Sequence, residues 1–179
     1  MGFSISWIAF KNKTKEEVLG ATGLNDTGET EEIPESPVSG AALPSGWYLL
    51  FFNKYAHAFL KPKTLSALSK DCQVVGCQVE EHVMASGAFC YENGNRLWSV
   101  SHESERGIYH VTVEGLAPRS LSALHARLVE RQNEEGGDKA GVDYIFDVPV
   151  ELAYEICVFR HDRWKFDWGQ PTFTRLLQM

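Results

Sequence analysis

Residues 83–115 read VMASGAFCYENGNRLWSVSHESERGIYHVTVEG, and two turn signals inside that stretch decide the fold class. Asn93-Gly94 is the dipeptide favoured by a two-residue type I′ turn, in which both central residues need positive φ. With that turn at the tip, Phe89 pairs with Trp98, Gly87 with Val100 and Ala85 with His102. A rival turn at Gly94-Asn95 would pair Tyr91 with Trp98. A second connection, Ser104 to Gly107, sets Trp98 opposite Val113, Val100 opposite Val111 and His102 opposite Tyr109. Both turns place the same residues on one apolar face, and a one-residue slip would turn Trp98, Val111 and Val113 outward. Three consecutive antiparallel strands are therefore expected, with Ser99, Ser101, His110, Thr112 and Glu114 on the polar face.

Upstream, Phe3 to Phe10 alternates with apolar residues on both sides, the pattern of a strand buried on both faces. The apolar run Trp47 to Phe52 reads as a central strand, Gln73 to Val79 as another, and Tyr55 to Leu60 as a further extension of the sheet. Thr14 and Glu17 form a capping box, opening a short helix that Gly23 ends. Thr64 to Ser69 reads as a second short helix, with Leu65 and Leu68 inward. Downstream, Pro118 suits a first helical turn, and Leu121, Leu124, Leu128 and Val129 form one stripe before Gly136-Gly137. A last helix starts at Asp147 as cap, with Leu152, Ile156 and Phe159 in line. Runs of strands precede a run of helices, which predicts an α+β fold: a predominantly antiparallel sheet with helices packed mainly on one face. One domain spans 1–179. The stretch at about 25–46, rich in Gly, Pro, Ser, Thr and Glu, is expected to be a long irregular acidic segment.

The chain has 179 residues and a formal net charge of −7, with 24 acidic against 17 basic side chains. Affinity for a phosphate backbone comes mostly from Lys and Arg, so no nucleic-acid role is expected, and a basic protein is the favoured partner. No apolar run approaches the roughly 20 residues that span a bilayer, so no membrane role is expected. The four cysteines, at 72, 77, 90 and 157, fall in core-like segments. Reduced thiols and a cytoplasmic location follow. Their spacing matches no zinc or redox motif, and Gly20, Gly23 and Gly28 lack the order of a phosphate loop, so neither metal nor cofactor is expected.

Among six histidines, His102 falls on the apolar side of its strand and reads as a hydrogen-bonded core residue. Cys90 is expected on the opposite face. The C-terminal stretch RHDRWKFDW offers candidate binding residues Arg160, His161, Asp162, Arg163, Trp164 and Trp168. It reads as an amphipathic edge strand, with Trp164, Phe166 and Trp168 alternating inward. His161 and Asp162 are sequence neighbours, so their side chains diverge and do not make a dyad. The second candidate surface is the acidic set Glu29, Glu31, Glu32 and Glu35. A small acidic α+β chain without a catalytic motif is similar in general style to the immunity-type inhibitors of bacterial toxins. That resemblance implies a non-catalytic cytosolic interaction protein with a basic partner. The alternative is a small-molecule-binding protein or enzyme whose pocket includes His161, Arg163 and Trp164.

Overall fold

The structure, a computed structural model, describes residues 2–178. Its strands are β1 (Ser4–Lys11), β2 (Leu24–Glu31), β3 (Val38–Leu43), β4 (Trp47–Phe52), β5 (Gln73–Glu80), β6 (Ala85–Glu92), β7 (Asn95–Glu103), β8 (Val111–Gly115) and β9 (Phe173–Gln178). The helices are α1 (Lys15–Thr22), α2 (Pro62–Leu68), α3 (Ser120–Glu134) and α4 (Asp147–Cys157). All nine strands join one antiparallel sheet in the order β2-β9-β3-β4-β1-β5-β6-β7-β8. The fold is α+β. No helix among the described residues is long and apolar enough to cross a membrane.

β1 lies at the centre of the sheet, hydrogen-bonded to β4 on one side and β5 on the other, which explains its two apolar faces. Ile5, Trp7 and Ala9 join the core under α3 and α4, whereas Ile8 and Phe10 join a second core under α1 and α2. The two longer helices thus cover one face and the two short ones part of the other. The capping box of α1 is formed: Glu17 N donates to Thr14 Oγ1 at 3.2 Å, and Thr14 N to Glu17 Oε2 at 2.8 Å. Gly23 ends that helix at φ 67°.

The Asn93-Gly94 turn forms as expected, with φ of 50° and 80°, but the register beyond it differs. Leu97 bulges out of β7, so Trp98 faces Cys90, Val100 faces Ala88 and His102 faces Ser86. Phe89 accordingly turns to the second core, beside Tyr91. Cys90, expected opposite His102, shares its face, four residues away along the paired strands. The bulge is accommodated by Gly115: at φ 76°, a Cβ there would lie 2.1 Å from the Leu97 carbonyl oxygen. The next connection is longer than expected. A 3₁₀ turn over Ser104–Arg106 and a bend to His110 precede β8, so Val100 faces Val113 and His102 faces Val111. This shift of two residues preserves the faces.

Three expectations about whole segments also fail. The 25–46 stretch is not irregular: β2 and β3 occupy much of it, β2 as a sheet edge, which is why its sequence is polar. Tyr55 to Leu60 leaves the sheet through a turn and a 3₁₀ helix, Ala58–Leu60, capped when Phe59 N donates to His57 Nδ1. The 160–168 segment is a chain of turns with one bridge, Phe166 to Gly169, while the strand of this region is β9, between β2 and β3.

Candidate functional site

The site is set by how α4 begins and ends. Asp143, rather than Asp147, caps its lead-in turn: Asp143 Oδ1 accepts the N–H groups of Ile145 and Phe146, both at 3.1 Å. Asp147 becomes the first helical residue and its carboxylate is free to turn elsewhere. At the other end Val158 takes φ 52°, an unusual conformation for a β-branched residue. Its N–H donates to the Tyr154 carbonyl at 2.8 Å, and its own carbonyl accepts from Trp168 Nε1 at 2.9 Å. This reversal drives Phe159 into the core, edge-on to Trp7 at 5.6 Å. It also brings Arg160, His161 and Asp162 to the lining of a cleft of about 420 Å³.

Arg160 is buried and is bound by three carboxylates. Its Nη2 donates to Asp147 Oδ1 at 2.8 Å, its Nε to Asp162 Oδ1 at 2.7 Å, and its Nη1 to Glu151 Oε1. Burial pulls its pKa down, but the hydrogen bond to Asp162 and the surrounding carboxylates more than offset that, and the net shift is upward. Burial also pushes the Asp147 carboxyl above its ordinary range. Asp162 feels the same penalty, yet its hydrogen bonds to Arg160 hold it below the ordinary range. The guanidinium is committed on all three nitrogens, so it has little left to offer an anion in the cleft.

His161 is only 1% exposed and lines the cleft from within the core. Among the described residues, neither ring nitrogen has a hydrogen-bond partner. Its Nε2 lies 3.8 Å from Glu81 Oε1, an ion-pair distance too long for a hydrogen bond. Burial lowers its pKa from the ordinary 6.5, and the ring sits edge-on to Phe3 at 5.0 Å. Glu81 is itself oriented, because its Oε2 accepts the Phe3 N–H at 2.8 Å.

The remaining wall is the 137–144 loop, fastened to α3 by the buried Gln132. Its Nε2 donates to the carbonyls of Gly137 and Val142 at 2.8 and 3.1 Å, and its Oε1 accepts the Tyr144 N–H at 2.7 Å. Asp143 on that loop reaches the fully buried His102, with Oδ2 2.9 Å from Nε2, while His102 Nδ1 lies 2.7 Å from the His110 carbonyl oxygen. His102 is therefore the hydrogen-bonded core histidine expected.

The structure brings Arg160, His161 and Asp162 together in the cleft and places the other candidates elsewhere. Trp164 packs against Phe51 and Phe173, each at 6.2 Å, Trp168 stacks on Phe166 at 5.1 Å, and Arg163 lies over the Tyr154 ring at 5.6 Å. These residues cover the core. In the acidic set Glu31 is structural, its carboxylate accepting from Ser36 and from Ser39 Oγ at 2.7 Å. Glu29 pairs with Arg175 at 2.9 Å, and Glu32 and Glu35 are exposed. Burial pushes Cys77 and Cys90 up to about 12 and Cys157 well above 9.0, which makes these thiols poor nucleophiles. Among the described residues, no group of three or more His, Cys, Asp or Glu side chains could hold a metal ion.

Glu81, Asp143 and Asp147 complete the cleft, and sequence reasoning did not single them out as site residues. Asp143 carries a partial signal, a cap residue just ahead of an apolar run; Glu81 carries none. Comparison with protein-family models, curated proteins and solved structures finds no match to this chain.

Proposed function

We propose that the chain is a non-catalytic interaction protein that binds, and by binding inhibits, a basic partner protein. The supporting observation is the charge balance of the cleft: among the described residues, Glu81, Asp143, Asp147 and Asp162 line it against one cation, Arg160, whose nitrogens are already occupied. A cleft of that balance attracts cations and disfavours anions, and the net charge of −7 extends the attraction over the surface. Exposed Glu32 and Glu35 would add long-range steering. Four free cysteines fit a reducing compartment such as the cytoplasm.

Affinity capture from lysate of the native cell, with the unaltered chain and with Glu81→Arg side by side, tests this reading. A stoichiometric basic partner held by the first and lost by the second is expected, with binding that weakens as salt is raised. No stoichiometric partner, or one that Glu81→Arg retains fully, would overturn it.

One observation favours a second reading, a binder of small cationic molecules. The cleft volume of about 420 Å³ falls in the usual range for small ligands. Trp164 and Arg163 take no part in that pocket.

A further inference from the structure

An acidic lining alone does not define a site, but His161 adds a separate observation. Leaving a polar group buried without a partner normally carries a substantial penalty, and His161, which lines the cleft, has two such atoms among the described residues. We propose that the cleft is a site for a primary ammonium group on an aliphatic stem, the side chain of a lysine on the basic partner, held between His161 Nε2 and Glu81 Oε1. This deepens the reading above and rests on it.

The two acceptors lie 3.8 Å apart, close enough for one nitrogen to donate to both. The neutral imidazole is an acceptor at Nε2 when its proton is on Nδ1. Glu81 presents a single oxygen, because its other oxygen is committed to Phe3 N. Two single acceptors on different residues suit a compact ammonium with rotatable donors. A guanidinium gains most from a bidentate carboxylate, and none is free here: Asp162 already grips Arg160 through both oxygens, at 2.7 and 3.1 Å. Met84, Val142 and Phe146 line the same cleft and provide apolar surface for a methylene stem. An anion would face four carboxylates, and Arg160 is already hydrogen-bonded to carboxylates through all three of its nitrogens.

The test is a titration of the full chain, followed by NMR of the His161 ring and, in every variant, of the backbone amides of residue 81 and Val142, with N-acetyl-lysine methylamide, 1,5-diaminopentane, N-acetyl-arginine methylamide and N-acetyl-norleucine methylamide. Saturable shifts at His161 with the lysine compound and none with norleucine are expected. Affinity for the lysine compound should fall about ten-fold or more in Glu81→Gln and in His161→Leu, the loss of one charge-assisted hydrogen bond. Arginine binding as tightly as lysine, no saturable shift, or shifts unchanged in Glu81→Gln would overturn the proposal. Diamine binding ten-fold or more tighter than the lysine compound would overturn the lysine assignment in favour of a free amine. If the lysine compound fails while a basic protein is still captured in a Glu81-dependent way, this inference falls and the interaction reading stands. If the lysine compound binds but no basic protein does, the interaction reading falls and takes the partner's lysine with it, leaving the cleft a site for a primary ammonium group.

Discussion

His161 Nε2 stands 3.8 Å from Glu81 Oε1, with the histidine sealed in the core and the carboxylate at the rim of the cleft. The pair is too far apart to share a proton and close enough to flank a third group. Fold stability gains little from such an arrangement, so removing His161 should abolish ligand binding without weakening the fold. His161→Leu is expected to leave the thermal midpoint unchanged or raise it, since two unpartnered buried nitrogens are replaced by apolar surface, while ligand binding is lost. A midpoint lowered by more than a few degrees would show that His161 has a stabilising partner.

The same histidine fixes a pH dependence. Its pKa is lowered in the folded chain by burial, so below the ordinary value of 6.5 the unfolded chain takes up a proton that the folded one resists. Stability therefore falls as pH drops from 6.5 toward the folded value. His57, lowered by burial on its stack with Phe52, contributes with the same sign. Asp147, raised by burial, contributes with the opposite sign above its ordinary 3.8. The difference between the unaltered chain and His161→Leu isolates the one group. Denaturant unfolding at about pH 7 and about pH 5 should show a smaller loss in the variant, and an equal loss would count against a neutral buried His161.

Arg160 holds the cleft together. Arg160→Met leaves Asp147, Glu151 and Asp162 without their cation, and stranding buried or half-buried charges costs about 3 kcal/mol or more. Arg160→Lys should recover only part of this, since an ammonium cannot reproduce the fork. Chemical denaturation of both variants measures it, and full stability in the lysine variant would show that the fork geometry is unimportant.

Much of the scaffold was legible because local chemistry and the tertiary fold agreed. The Thr14 box, the Asn93-Gly94 turn, the two-sided pattern of β1 and the leucine stripe of α3 each have a cause within a few residues. The failures have non-local causes. The Leu97 bulge is fixed by Gly115 on the next strand, and β2 looks like a loop because a sheet edge needs no apolar alternation. Within the site, Arg160, His161 and Asp162 stood out by composition. Glu81 and Asp143 come from loops 79 and 17 positions away from Arg160, so no spacing in the sequence marks them.

The bulge can be checked directly. Gly115→Ala combines a φ of 76° with a Cβ that would lie 2.1 Å from the Leu97 carbonyl oxygen, and strain of this kind costs about 1–3 kcal/mol. The expected result is a lower denaturation midpoint and weakened protection of the Leu116 amide, which now donates to Leu97 O at 3.0 Å. Normal stability and protection would mean that Leu97 is not looped out there.

The loop wall of the cleft depends on His102. His102→Leu removes the partner of the nearly buried Asp143 carboxylate and should destabilise the chain by about 3 kcal/mol. Asp143→Asn, which keeps a side-chain acceptor for the Ile145 and Phe146 amides, should cost less. Equal losses in the two variants would show that the negative charge of Asp143, which asparagine lacks, matters as much as its hydrogen bond to His102.

The most direct measurement is ¹⁵N NMR of the His161 ring in the ligand-free chain. A neutral imidazole at pH 7 that gains its proton only below 6.5 is the expected result, for that is the state in which His161 is an open acceptor beside Glu81. A doubly protonated ring at pH 7, paired with Glu81, would contradict the assignment of the cleft to a cationic group.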